Sequence, residues 1–186
     1  MDLKIFNVDR NSFFSRAQPI SEGSFGKIYT LNFQHREIAV KSYEMFGKDV
    51  EQFPPILKKV IKEYCISKIC DELDCGPSMP CPFGFDILIF HNRIEFAMEK
   101  CKHLEKVEEE DLQNILVNLG NMHRFGVVHL DINPENIMWS PSKNKPVFID
   151  FGFSDVVREE CGFKTLTSFH GTPTYASREM LKLFSL

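Results

Sequence analysis

The sequence predicts an α+β protein in which a β-rich first part is followed by a more helical second part. Short apolar stretches separated by turn residues fill most of the first hundred positions, as in consecutive antiparallel strands. Apolar residues recur at helical spacing between Pro54 and Leu73, and again between Glu109 and Phe125. A run of strands with one inserted helix, followed by helical sequence, is typical of α+β domains.

Length and composition are those of a folded protein. The chain has 186 residues, of which 43% are hydrophobic, enough for one substantial core or two small lobes. Its net charge is -4 and its 22 basic residues are spread along the chain, so we expect no nucleic-acid partner. No apolar run approaches the ~18 residues of a membrane span, and the first residues lack the apolar core of a signal peptide. We therefore expect no membrane association and a location in the cytoplasm or nucleus.

Six cysteines are present, at positions 65, 70, 75, 81, 101 and 161. They form no closely spaced pair of the kind that binds zinc, and in a reducing compartment they are expected to be free thiols.

The first part is predicted to form a five-stranded antiparallel sheet with one helix. A strand from about Phe13 leads into a turn at Ser21–Gly26, and a hairpin closes the sheet. The other predicted elements are strands at Lys27–Phe33 and Ile38–Tyr43, a helix from Pro54 to about Leu73, and the hairpin strands Phe85–Phe90 and Arg93–Glu99.

The second part begins between Glu99 and His103, which divides the chain into residues 1–100 and 101–186. Its helix, Glu109–Phe125, is closed by Gly126. Short strands are predicted around Val127–Val128, Ile137–Trp139 and Val147–Ile149.

The stretch from Val127 to Gly152 contains the residues most informative about chemistry. Asp131 precedes Asn136 by five residues, and Asp150 follows a short apolar strand. Carboxylate and amide oxygens are ligands that Mg²⁺ accepts, with further positions left for substrate phosphates. This set therefore indicates phosphoryl transfer.

An Asp followed by Asn, and then Asp-Phe-Gly, resembles the catalytic signature of eukaryotic-type protein kinases. The resemblance covers roughly residues 14 to 180 and implies a two-lobed fold, with the sheet and one helix in the first lobe. It implies that Asp131 orients the substrate hydroxyl and accepts its proton. Asn136 and Asp150 would hold Mg²⁺ against the phosphates of ATP.

Two further motifs resemble the first lobe of kinases. Residues 20–28 resemble the glycine-rich loop over the phosphates of ATP, with Ser21 replacing its first glycine, although an ordinary hairpin turn would look the same. Lys41 follows Ala39-Val40 as in the kinase strand whose Lys pairs with a helix Glu, here Glu63. Taken alone, such a lysine is more often an exposed edge-strand residue, but the order of glycine-rich loop, strand lysine and helix glutamate argues against that interpretation. The residues implied in the loop are Ile20, Ser21, Glu22, Gly23, Ser24, Phe25, Gly26, Lys27 and Ile28.

The stretch Ile94–Cys101 resembles the fifth strand and hinge. Met98 would be the gatekeeper, and the backbones of Glu99 and Cys101 would bind the adenine edge. The apolar walls would be Ile20, Ile28, Ala39 and Met138, residues that could equally be ordinary core. These positions complete the implied ATP site.

Gly171-Thr172-Pro173-Thr174-Tyr175 resembles the end of the activation segment of serine/threonine kinases, in which the threonine, here Thr172, steadies the catalytic Asp. The closing Ala-Pro-Glu is replaced by Ser177-Arg178-Glu179. The expected substrate is therefore a serine or threonine of a protein.

Four departures from the family pattern bear on activity. Leu130 replaces an Arg that pairs with a phosphorylated activation segment, so phosphorylation at Thr165, Thr167 or Ser168 is expected to matter little. Asn133 replaces a Lys that neutralises the γ-phosphate, as in some small viral kinases. The stretch between Glu99 and Asp131 is short, and the sequence stops at Leu186, before the helices that underlie the second lobe.

Two hypotheses follow. The first is an ATP- and Mg²⁺-dependent serine/threonine protein kinase. The second is a weak or inactive kinase-like protein that regulates another kinase by binding it. In both cases the second lobe is incomplete, so the apolar face of the Glu109–Phe125 helix is expected to lack a cover within these 186 residues. Either a kinase or other protein partner binds there, or the sequence is a fragment of a longer chain.

Overall fold

The computed structural model describes residues 5–6, 18–23, 26–33, 35–44, 53–80, 86–90, 93–157 and 169–184. The strands are β1 Ile5–Phe6, β2 Gln18–Gly23, β3 Gly26–Phe33, β4 Arg36–Glu44, β5 Ile87–Phe90, β6 Arg93–Glu99, β7 Val127–Val128, β8 Ile137–Ser140, β9 Lys145–Phe148 and β10 Asp155–Val156. The helices are α1 Phe53–Glu72, α2 Glu109–Arg124 and α3 Arg178–Leu183, with short 3₁₀ helices at Pro134–Asn136 and Pro173–Tyr175.

The chain divides into two compact units. The first comprises residues 1–65 and 77–100, and the second comprises residues 66–76 and 101–186. Helix α1 therefore contributes residues to both units. The assignment of residues 1–100 and 101–186 to two kinase lobes remains a prediction.

A six-stranded sheet with the order β1-β5-β6-β4-β3-β2 dominates the first unit. Strands β2 to β6 pair antiparallel, which confirms the predicted five-stranded antiparallel sheet and the α+β class. Strand β1 adds to the edge by pairing parallel with β5. Two residues are too few to show an alternating pattern, so this strand could not be recognised in the sequence.

Strand β4 runs through the middle of the sheet and is buried from Ile38 to Tyr43. Because side chains alternate along a strand, its residues contribute to apolar clusters on both faces. One cluster comprises Leu31, Ile38, Val40 and Ala97. The other, which includes residues of α1, comprises Tyr43, Val60, Tyr64, Met79, Ile87, Ile94 and Phe96.

The core of the second unit joins helix α2 to the strands that follow it. Met122 of α2 is completely buried, as is Val127 directly after the helix. The full cluster is Ile66, Cys70, Cys75, Met122, Val127, Phe148 and Phe151. Its first three members come from residues 66–76, which explains why this segment belongs to the second unit.

Polar contacts attach the same segment to the β8–β9 hairpin. Lys143 Nζ lies 3.0 Å from Asp71 Oδ1, and Lys145 Nζ lies 2.6 Å from Asp74 Oδ2. The Phe148 amide also donates to the Cys75 carbonyl oxygen at 2.9 Å. The Lys143 side chain is only 9% exposed, so its pair with Asp71 is less screened by water than a surface ion pair.

Helix α2 begins and ends at the predicted positions. Its first turn carries Glu109, Glu110 and Asp111, whose negative charges favour a helix N-terminus. Gly126 follows the helix with φ 76°, a conformation that costs glycine little. A Cβ there would lie 2.3 Å from the Val157 carbonyl oxygen.

Cys65, Cys70, Cys75 and Cys101 are free thiols, whereas Cys81 and Cys161 lie outside the described residues. Within the described part of the chain, no helix is long and apolar enough to cross a membrane.

We expect truncation of Met122 to destabilise the second unit strongly. Met122→Ala removes a fully buried side chain and leaves a cavity, a change that costs about 2–5 kcal/mol. Leu116→Ala, on the same helix but 67% exposed, is the control and should change stability by no more than about 0.5 kcal/mol. Urea denaturation measures both. Equal losses would contradict the placement of the core on the Met122 face of α2.

Candidate functional site

A buried ion pair occupies the face of β4 that packs against helix α1. Lys41 Nζ lies 2.5 Å from Glu63 Oε1, and the two residues are 4% and 1% exposed. The other carboxylate oxygen of Glu63 accepts a hydrogen bond from the hydroxyl of Tyr43. Lys41 is thus a buried, paired lysine in a central strand, which excludes the exposed edge-strand alternative.

The predicted glycine-rich loop lies in the β2–β3 hairpin. At the end of this hairpin Gly23 pairs with Gly26. Ser24 and Phe25, which lie between them, are outside the described residues. The side chains of Ser21 and Glu22 are also outside the described part of the chain. Lys27 is placed on β3, where it forms an ion pair with Glu44. At Gly26 a Cβ would come within 2.5 Å of the Ser42 carbonyl oxygen, so this position needs glycine because β4 approaches closely.

The residues proposed to surround adenine differ in exposure. Ala39 is buried, Ile28 and Met98 are half-buried, and Ile20 is 49% exposed. The backbone amide of Glu99, at the end of β6, donates to the Ser78 carbonyl oxygen at 2.7 Å. In the second unit, Cys101 and Met138 are half-buried.

Asp131 is the centre of a hydrogen-bond network in the second unit. Its Oδ1 accepts from both the backbone amide and the hydroxyl of Thr172, each at 2.8 Å. Its Oδ2 accepts from Asn136 Nδ2 at 2.9 Å, and the same amide nitrogen donates to the Asp131 carbonyl oxygen. The structure therefore brings together Asp131, Asn136 and Thr172, three of the residues that the sequence singled out.

Asn133 caps the short 3₁₀ helix that carries Asn136. Its Oδ1 accepts from the amides of Glu135 and Asn136 at 2.9 and 3.1 Å. Its Nδ2 donates to Thr172 Oγ1 and to the Asp131 carbonyl oxygen, both at 3.3 Å. Asn133 is only 7% exposed. It therefore binds the Asp131–Asn136 loop and the Gly171–Tyr175 segment to each other.

Asp150 follows β9 and has φ 58°, in the left-handed region that side chains seldom adopt. The Ile149 amide donates to the Asn136 carbonyl oxygen at 2.9 Å, which joins the backbone before Asp150 to the Asp131–Asn136 loop. Such backbone strain is found at functional sites that the surrounding structure holds in place. Leu130, with φ 65°, is a second case directly before Asp131.

The donor set fits a Mg²⁺ ion. Asn136 uses its Nδ2 for Asp131, so its Oδ1 is the atom able to act as a metal ligand. Asp150 supplies a carboxylate, and Mg²⁺ is commonly bound by one or two such oxygens together with phosphates and water.

His129 was not singled out in the sequence, yet its side chain binds the backbone of Asp131. Its Nδ1 accepts from the Asp131 amide at 3.3 Å, and its Nε2 faces the Ile149 carbonyl oxygen at 2.9 Å. This arrangement requires a neutral ring with its proton on Nε2. Burial lowers the pKa of His129 below its ordinary value of 6.5, although the charges of Asp150 and Asp131 act in the opposite direction.

Tyr43 was also missed. Both residues could have been suspected from their positions in the sequence. Tyr43 follows Lys41 by two residues, so the two share a face of a strand, and His129 precedes Asp131 by two residues.

We expect folding stability to fall as the pH decreases through 6.5. The pKa of His129 is lowered in the folded protein, so the unfolded chain binds the proton first and the contribution of the neutral ring is lost on acidification. The loss between about pH 7.5 and about pH 5.5 should reach up to about 1.4 kcal/mol. Urea denaturation at several pH values measures it. His129→Gln should show a flatter profile, and parallel profiles would contradict the assignment.

Gly171 should not tolerate a side chain. It has φ 108°, and a Cβ would lie 2.4 Å from the Leu130 carbonyl oxygen, so Gly171→Ala should cost more than about 1 kcal/mol and disturb the Thr172–Asp131 contact. Gly120→Ala is the control, because nothing lies within 4 Å of that position. In helix α2 it should stabilise by about 0.5–1 kcal/mol. Thermal denaturation compares the two, and a neutral Gly171→Ala would contradict the close approach.

Comparison with known proteins identifies a family. The sequence profile described as the protein kinase domain matches residues 89–185, more than half of the chain. Mouse calcium/calmodulin-dependent protein kinase type IV is 33% identical over 46% of this chain and 18% of its own length. Human serine/threonine-protein kinase D3 is 31% identical over 46% of this chain and 10% of its own length.

A longer match is to the serine/threonine-protein kinase kin-29 of Caenorhabditis elegans, which is 24% identical over 94% of this chain and 21% of its own length. The chain thus spans about a fifth or less of the length of these relatives. They are animal proteins, so they give no support to the expected likeness to small viral kinases. With the profile match, they show that the chain belongs to the protein kinase family, as a divergent member of its eukaryotic serine/threonine type.

Proposed function

We propose that this chain catalyses the Mg²⁺-dependent transfer of the γ-phosphate of ATP to a serine or threonine hydroxyl of a protein. The observation that carries the proposal is the fixed carboxylate of Asp131, which is held by Thr172 and Asn136. Membership of the protein kinase family supports the same reaction class.

Asp131 is suited to orient a substrate hydroxyl and accept its proton. An ionised carboxylate offers about four acceptor positions, two on each oxygen. Among the described residues, Oδ1 accepts two hydrogen bonds from Thr172, whereas Oδ2 accepts one from Asn136. Oδ2 therefore retains an acceptor position, and we assign the contact with the substrate hydroxyl to this oxygen.

Lys41 is proposed to bind the α- and β-phosphates of ATP. In protein kinases a strand lysine has this role when a helix glutamate holds it. The buried pair with Glu63 supports the assignment, because it fixes an ammonium group that would otherwise move on a flexible side chain.

Asn136 and Asp150 are proposed to hold Mg²⁺, which supplies charge neutralisation at the phosphates when it is bound. Asn136 would contribute its Oδ1, since its Nδ2 binds Asp131. The hydrogen bond from Ile149 to Asn136 supports the pairing of these two ligands.

The glycine-rich hairpin and the apolar residues are proposed to bind the rest of ATP. Gly23 and Gly26 close the hairpin. The adenine would pack on the four apolar residues implied by the resemblance, Ile20, Ile28, Ala39 and Met138. The Glu99 amide already donates to the Ser78 carbonyl oxygen, so the atom of Glu99 that would bind the adenine edge is its own carbonyl oxygen.

A second candidate function is the regulation of another kinase by binding, with little or no catalysis. The observation that favours it is the exposed apolar surface of α2, where Leu112, Leu116 and Val117 are 54%, 67% and 60% exposed. Exposed apolar surface of this kind often marks protein contacts. Asn133 also lacks the charge that the family places at its position.

Phosphate transfer from labelled ATP with Mg²⁺ to a generic basic protein tests the first function. We expect incorporation by the wild type and a decrease on the order of 10²–10⁴ in Asp131→Asn, the factor typical of losing a general base. Thermal shift with ATP and Mg²⁺ serves as the control, because a folded variant that still binds nucleotide is stabilised according to its affinity.

Equal incorporation by the two proteins would contradict catalysis by Asp131. Absence of transfer by a wild type that inhibits a kinase it binds would favour the second function instead.

A further inference from the structure

The hydroxyl of Tyr43 donates to Glu63, the partner of Lys41, and the proposed function gives this contact no role. Tyr43 lies two residues after Lys41 in β4, so both side chains are on the same face of the sheet. Lys41 binds Oε1 of Glu63 and Tyr43 binds Oε2. The carboxylate is thus held at both oxygens from a single strand.

The aromatic ring of Tyr43 is itself fixed. It is 5% exposed and lies parallel to Phe96 of β6, with ring centroids 6.3 Å apart and an interplanar angle of 23°. A tyrosine has only two side-chain torsions to restrain, whereas the lysine ammonium lies on a flexible four-carbon stem. The hydroxyl is therefore the more rigid of the two donors.

Burial makes this second donor necessary. Glu63 is 1% exposed, and an ion pair removed from water is stable only if further hydrogen bonds satisfy its remaining polar positions. Lys41 Nζ also lies 5.8 Å from the centroid of the Tyr43 ring, within the range of a cation–π contact. One side chain thus contacts both members of the pair.

We propose that Tyr43 is a positioning residue that holds Glu63 in the orientation in which it pairs with Lys41. Because Glu63 is on α1, the same hydrogen bond fixes that helix against β4. The inference rests on the proposed function for its effect on ATP, but the positioning itself is a property of the first unit.

Tyr64 provides a matched control. Its hydroxyl donates to Asp86, it is 2% exposed, and its ring lies edge-on to the same Phe96 at 5.7 Å. Tyr43→Phe and Tyr64→Phe each remove one phenol–carboxylate hydrogen bond from the same core cluster. Among the described contacts of the two hydroxyls, the one with Glu63 is removed by Tyr43→Phe, whereas Tyr64→Phe removes the one with Asp86.

The test compares the wild type and both variants in two measurements. The first is the dissociation constant for ATP with Mg²⁺, which Tyr43→Phe should raise by about tenfold, the factor associated with one hydrogen bond to a charged group. The second is the rate at which an amine-acylating ester modifies Lys41, measured by mass spectrometry against the exposed Lys58. This rate should increase in Tyr43→Phe, and both quantities should stay near wild type in Tyr64→Phe.

Equal effects of the two substitutions would overturn the proposal, because the Tyr43 hydroxyl would then contribute only stability. Unchanged ATP affinity in Tyr43→Phe, in a protein whose wild type binds ATP, would also overturn it. If the wild type does not bind ATP, the proposed function fails. The acylation rate of Lys41 then decides about Tyr43 alone: an increase confined to Tyr43→Phe supports the positioning role, and no increase refutes it.

Discussion

The carboxylate of Glu63 is almost completely removed from water, and both of its oxygens are bound by donors from strand β4. A charge in such a place is tolerated only with a partner and with its other polar positions satisfied. This requirement determines which face of β4 receives α1, since Lys41 and Tyr43 both lie there. The same arrangement produces the Lys–Glu pair that protein kinases use for ATP. Packing and proposed function therefore depend on one buried group.

In the second unit, the half-buried carboxylate of Asp131 is also held by hydrogen bonds to both of its oxygens. Its carboxylate and backbone are contacted by Thr172, Asn136, Asn133 and His129. The groups that contact Asp131 are uncharged, whereas the family resemblance places a Lys at the position of Asn133. In this chain Asn133 also has a structural role, because its side chain caps the 3₁₀ helix that carries Asn136.

The sequence was sufficient for the order of the longer elements and for the family resemblance. Helix α2 has a strong 3.6-residue pattern and helix α1 a weaker one, and strands β3, β4 and β6 contain short apolar stretches, so the limits of these elements were predicted to within a few residues. Strand β1 and helix α3 were not predicted, because two and six residues show no reliable periodicity. The motifs around Asp131 and Asp150 indicated phosphoryl transfer. They could be recognised because Asp131, Asn136 and Asp150 lie on one loop and directly after one short strand, so that their spacing along the chain is fixed locally.

What the sequence alone determined is the set of chemical groups and their local spacing: Asp131 with Asn136, Lys41 on a strand and Glu63 on a helix. Only the tertiary structure decided which groups neighbour each other across the chain. The resemblance had implied that Thr172 steadies Asp131, but Tyr43 contacts Glu63 over 20 residues and Asn133 contacts Thr172 over 39, and neither of these contacts was predicted. Contacts between distant segments depend on how helices and strands pack against each other, and local sequence patterns do not predict that packing. The contacts of Tyr43 with Glu63, and of Asn133 and His129 with the backbone of Asp131, therefore emerged only from the folded chain.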